Sequence, residues 1–112
     1  AGSVARRYAR ALFDIGVDRG TFEAYGRELA QLAGVFAGSA ELRQALENPV
    51  FKPSTKRAVL EKILPSVTPT AEVRNFVLLL LERNRIGELA GITRAYDQLV
   101  DDKLGRVKAV VT

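Results

Sequence analysis

Apolar residues recur at intervals of three and four along most of this chain, and the stretches that carry them are cut at short intervals by glycine, proline or asparagine. Residues at that spacing share a face only on a helix, so the pattern points to an all-α chain whose helices bury their stripes on one another as a bundle. The clearest stripe is Leu89, Ile92, Tyr96, Leu99 and Val100. The punctuation predicts six helices. The first runs from about Ser3, which can cap it, to Arg19, with Gly20 as the left-handed residue that closes it. Thr21 caps a second, which reaches Ala37 with Leu29, Leu32, Ala33 and Phe36 at helical spacing. Gly38 closes that helix, and Ser39 caps a short third helix through Leu46. Asn48-Pro49 stops the chain, because proline disfavours helix in the residue before it. Pro53 suits the first turn of a fourth helix, which carries Ala58, Val59, Ile63 and Leu64 and is expected to end before Pro65. A fifth helix is expected over about Thr70 to Arg83, with Asn84 as its stop, and a sixth over Ile86 to Leu104, ended by Gly105.

From Arg106 to Thr112 the period changes to two: Val107, Ala109 and Val111 alternate with Arg106, Lys108 and Val110 as on a strand. One strand without a partner is unstable. The expected organisation is a helical bundle over residues 1–105, with residues 106–112 as the start of a strand leading to a C-terminal domain absent from this chain.

Composition removes most chemistry. The chain has no cysteine and no histidine, which excludes disulfides, thiolate chemistry, most transition-metal sites and most nucleophile–base pairs. Carboxylates are scattered among Lys and Arg, as solvated helix faces require. Glycines such as Gly16, Gly26 and Gly34 stand singly inside helical patterns rather than in a phosphate-binding loop. No catalytic residue, cofactor or metal is therefore expected. The longest apolar run, Phe76 to Leu81, falls far short of the roughly 20 residues that span a bilayer. Arg6, Arg7 and Arg10 break up any signal-peptide pattern at the N-terminus. The net charge of +4 permits nucleic-acid binding, but the basic residues form no run longer than two and no aromatics interleave with them.

Two helices carry more apolar surface than one core needs. On the first, Ala5, Ala9, Leu12, Phe13 and Gly16 can face inward, and Val4, Tyr8, Ala11 and Ile15 make a second row. On the fifth, Val73, Phe76, Val77 and Leu80 are one inward set, with Leu78, Leu79 and Leu81 beyond it. Periodicity alone leaves two readings. Both helices can be central and buried on all sides, or they can form a groove that receives an apolar helix from another protein.

Val4-Ala5-Arg6-Arg7-Tyr8-Ala9-Arg10-Ala11-Leu12-Phe13 resembles the opening helix of the ATP synthase delta subunit family, whose mitochondrial counterpart is the oligomycin-sensitivity-conferring protein. Asn75-Phe76 through Leu81-Glu82-Arg83-Asn84-Arg85-Ile86 is similar to that family's fifth helix and the turn after it, and Asn48-Pro49 and Tyr96 fall where the family places similar residues. The resemblance implies a six-helix N-terminal domain on top of the synthase's catalytic head. It implies that this domain holds the N-terminal helix of an alpha subunit between its first and fifth helices, while a C-terminal domain engages a b-type peripheral stalk. The protein would then be a non-catalytic part of the stator. In a bacterium it would lie on the cytoplasmic face of the plasma membrane without inserting into it. Carried over by position, the binding surface comprises Val4, Tyr8, Ala11, Leu12 and Ile15 of the first helix with Asn75, Leu78, Leu79 and Glu82 of the fifth. One departure is Arg83-Asn84, where the family usually has Asn-Gly; asparagine tolerates the left-handed cap, so the turn is expected to survive. A basic nucleic-acid-binding domain and a self-associating adaptor remain the alternatives.

Overall fold

The computed structural model describes residues 2–67 and 70–105. It contains six helices: α1 (Gly2–Arg19), α2 (Phe22–Ala37), α3 (Ala40–Glu47), α4 (Pro53–Val67), α5 (Ala71–Glu82) and α6 (Leu89–Leu104), with one 3₁₀ turn, Ile86–Glu88, ahead of the last. The strand expected over residues 106–112 lies outside the described residues.

The helix ends follow backbone chemistry more than side-chain capping. α1 closes in a Schellman motif: the Thr21 N–H donates to the Gly16 carbonyl at 2.8 Å and the Gly20 N–H to Val17 at 3.2 Å, with Gly20 at φ +73°. α5 closes in the same way. The Arg85 N–H donates to Leu80 at 2.7 Å, the Asn84 N–H donates to Leu81 at 3.1 Å, and Asn84 takes the left-handed position at φ +58°. Ser39 caps α3 as expected, its hydroxyl accepting from the Leu42 N–H at 3.1 Å.

Four expectations need correction. α1 begins at Gly2, so Ser3 lies inside its first turn and not at its cap. Thr21 precedes α2 but makes no capping bond; the Schellman turn holds its backbone away from the extended conformation that aims a cap hydroxyl at the helix. α4 runs through Pro65 to Val67, because a proline in the last turn forfeits only one hydrogen bond, and the Ser66 hydroxyl donates to the Ile63 carbonyl at 3.0 Å there. The expected sixth helix is split, its first turn tightening into the 3₁₀ segment, a common device at helix N-termini.

α1 packs most extensively on α6, and α6 on α2. Small residues allow the close approach. Ala5 and Ala9 are buried on α1, and Gly26 of α2 lies against the ring of Tyr96. Phe13 meets Phe22 and Tyr96 edge-on, with ring centroids 5.6 and 5.7 Å apart, an arrangement that adds to plain area burial. The Tyr96 hydroxyl donates to the Phe22 carbonyl at 2.7 Å. Burial, and secondarily the neighbouring Tyr25, hold that hydroxyl's pKa well above the ordinary tyrosine value, so the donor stays protonated. α4 and α5 complete the core with Leu60, Leu64, Val73, Val77 and Leu80.

Two glycines test this packing in opposite directions. A Cβ on Gly16 would meet the Phe22 Cα at 2.6 Å, so Gly16→Ala should destabilise the fold by about 2 kcal/mol. A Cβ on Gly34 would meet nothing within 4 Å, and Gly34→Ala should stabilise by about 0.5 kcal/mol through helix propensity. Urea denaturation midpoints moving in opposite directions would verify the pair.

Candidate docking surface between α1 and α5

Val4, Tyr8, Ala11 and Ile15 fall at i, i+4, i+7 and i+11 and form one row along α1. Asn75, Leu79 and Glu82 form a comparable row on α5, with Leu78 beside it. The two helices touch through side chains at their facing edges. The Tyr8 ring packs edge-on against Phe76 with centroids 6.3 Å apart, and the Arg19 guanidinium lies 3.4 Å from the Glu72 carboxylate. These contacts set the C-terminal end of α1 beside the N-terminal end of α5.

The apolar surplus divides between the two readings that periodicity left open. Leu12 is 1% exposed and Leu78 is 8% exposed, so both belong to the core and not to the open surface. Leu81 is half-buried against the core. Ile15 at 43% and Leu79 at 37% are open to solvent, and Val4 and Tyr8 are half-buried. Ala11, Asn75 and Glu82 are exposed. The surface is therefore a shallow apolar strip, with Tyr8 and Phe76 at its base, Ile15 and Leu79 on its flanks, and the polar groups of Asn75 and Glu82 along the α5 side.

What positions α5 is a group that helical periodicity did not single out. Glu28 is buried on α2, where its carboxylate accepts the Thr70 N–H at 3.2 Å and also the Thr70 hydroxyl proton. Thr70 precedes α5, so this clasp ties the start of that helix to α2. The clue was present: Glu28 sits between Tyr25, Leu29 and Leu32 on an otherwise apolar face. A carboxylate there needs buried donors, and charge-assisted bonds to a backbone N–H and a hydroxyl supply them.

Among the described residues no group of three His, Cys, Asp or Glu side chains is placed to hold a metal ion, and no helix is long and apolar enough to cross a membrane. The arrangement is suited to contact along a strip.

Comparison with known proteins gives the surface its context. Residues 4–112 match the family model described as ATP synthase delta (OSCP) subunit. The chain is 41% identical over 111 residues to the ATP synthase subunit delta of Anaeromyxobacter sp. (strain Fw109-5), covering 99% of this chain and 62% of that protein. It is 36% identical over 110 residues to the subunit delta of Trichlorobacter lovleyi, covering 98% and 61%. It is 42% identical over 107 residues to that of Nitratidesulfovibrio vulgaris (strain DP4), covering 94% and 58%. The chain thus spans about three-fifths of the length of these relatives. With a family match across nearly every residue and relatives this similar along the same span, the chain belongs to the ATP synthase delta (OSCP) subunit family.

Proposed function

We propose that this chain is the helical domain of a non-catalytic stator subunit of a rotary ATP synthase, and that the strip between α1 and α5 receives the N-terminal helix of an alpha subunit. Family membership supports the first half of this reading. One observation supports the second. Ile15 and Leu79, on facing helices, keep large apolar side chains in solvent beside the half-buried Tyr8. An amphipathic helix laid along the strip would cover all three at the spacing its own turns provide. The partner's apolar face supplies affinity at about 25 cal/mol per Å² buried, less the cost of ordering it. Tyr8 suits such an interface, because its ring is apolar and its hydroxyl can remain wet.

The mechanical demand on a stator is to hold the catalytic head against rotation. That favours slow dissociation and a floor that does not yield, which the buried Leu12 and Phe76 provide. The contact with a b-type stalk falls to the portion of the relatives that this chain does not span. The complex is taken to sit on the membrane's cytoplasmic face, held there through its partners.

Titration with a synthetic alpha-subunit N-terminal peptide tests the reading; a folded chain that binds no such peptide refutes it. Leu79→Asp should weaken peptide binding at least tenfold while costing the fold about 1–2 kcal/mol, since more than a third of the side chain is exposed. Leu12→Ala should behave in the reverse sense, costing about 3 kcal/mol of stability and disturbing binding mainly through the fold. Calorimetry of binding alongside urea denaturation separates the two.

A further inference from the structure

A second groove lies on α1, between its N-terminal half and α6. It encloses about 1050 Å³ and is open along one side. Its floor is made by Ala5 with Ala90, Gly91 and Ala95 of α6, and a Cβ added at Gly91 would stand 3.4 Å from that of Ala5. Arg6, Arg7 and Arg10 line one wall, and Arg94 reaches back across the floor from the other, its Nη2 within 3.9 Å of the position a Gly91 Cβ would take. Arg10 pairs with Asp14 at 3.3 Å. No ion pair among the described residues engages Arg6, Arg7 or Arg94. Two carboxylates also line the groove, Glu88 near the start of α6 and Asp102 near its end, the latter accepting from the Gln98 amide at 3.0 Å.

We propose that this α1–α6 groove is a docking site for an acidic helical segment of a protein partner, with carboxylates on one face of that segment meeting Arg6, Arg7 and Arg94. Three features select this occupant. The positive charge is central and flanked by acid at both ends, which suits a short acidic patch and repels a continuous phosphate backbone. No aromatic side chain lines the groove, so single-stranded bases would find no stacking platform. Ala90 and Ala95 keep the α6 side of the groove low, and the run from Glu88 to Asp102, at ~1.5 Å per residue, offers a bed of about four turns. Guanidinium groups donate paired, directional hydrogen bonds to carboxylates, which would fix the segment's register. The groove is separate from the α1–α5 strip, so this proposal stands or falls independently of the peptide reading above.

The test uses an alanine-rich helical peptide bearing glutamates along one face, its glutamine counterpart, a single-stranded oligonucleotide and vesicles of phosphatidylglycerol. Binding is followed through the backbone amides of the chain by NMR. The glutamate peptide should shift the Ala90, Gly91 and Ala95 amides saturably, leave Ile15 and Leu79 unmoved, and lose affinity as salt rises from about 0.05 to 0.5 M. The glutamine peptide should not bind. Arg6→Gln with Arg94→Gln should weaken binding tenfold or more, and both sites are exposed, so the fold should be retained. Reversing both charges, Arg6→Glu with Arg94→Glu, should transfer binding to a lysine-bearing peptide. Absence of saturable shifts, equal binding of the glutamine peptide, or tighter binding of the oligonucleotide or vesicles at the same amides would overturn the proposal.

Discussion

The seating of α1 on α6 and α2 decides which side chains this helix shows at both of the surfaces it borders. α1 is the long helix whose inward edge is made of Ala5, Ala9, Leu12, Phe13 and Gly16, and the small members of that edge let it approach its neighbours closely. Phe13 then fixes the rotation of the helix about its own axis, because its ring is held between Phe22 and Tyr96 in two edge-on contacts. Once that rotation is set, the apolar row of Tyr8 and Ile15 must face α5, and Arg6 and Arg10 must face the α6 side. A helix turned by one residue toward its arginine side would bury Arg6 and Arg10 and expose Leu12. The cost of burying an unpaired charge makes that alternative untenable.

α5 is positioned by a different kind of force. Its inward residues Val73, Val77 and Leu80 are fully buried, but apolar contact alone permits sliding. The Glu28 clasp on Thr70 pins one end, and the Asn84 turn sets the other. Polar groups in low dielectric are specific because a misplaced partner leaves a buried donor or acceptor unmet. The two helices that flank the strip are thus held by different means, α1 by close packing and α5 by a polar anchor at its entry.

Much of this architecture was legible in the chain itself. The six helices and most of their stops follow from periodicity and from Gly20, Ser39, Asn48-Pro49, Asn84 and Gly105. What escaped was of two kinds, local backbone chemistry at helix ends and contacts distant in sequence. Pro65 reads as a stop, yet within the last turn of α4 it is tolerated. Thr21 reads as a cap, yet the turn before it determines its backbone. The candidate strip was legible as a surplus of apolar residues but not as exposure, because helical spacing cannot say whether Leu78 or Leu79 faces a neighbour. Adjacent on α5, they end up on opposite sides of the burial boundary. The basic groove was invisible for the same reason: Arg94 joins Arg6 and Arg7 only through the fold.

The chain contains no tryptophan and three tyrosines. Tyr25 and Tyr96 are sealed in the core, and Tyr8 alone reaches solvent, on the strip between α1 and α5. The molecule therefore carries a built-in optical reporter. Its two core phenols give a constant background, while the emission and quencher accessibility of the third depend on what lies over that one surface. Occupancy of the strip can be followed by intrinsic fluorescence in the unlabelled protein, provided the ligand itself contributes no tyrosine or tryptophan.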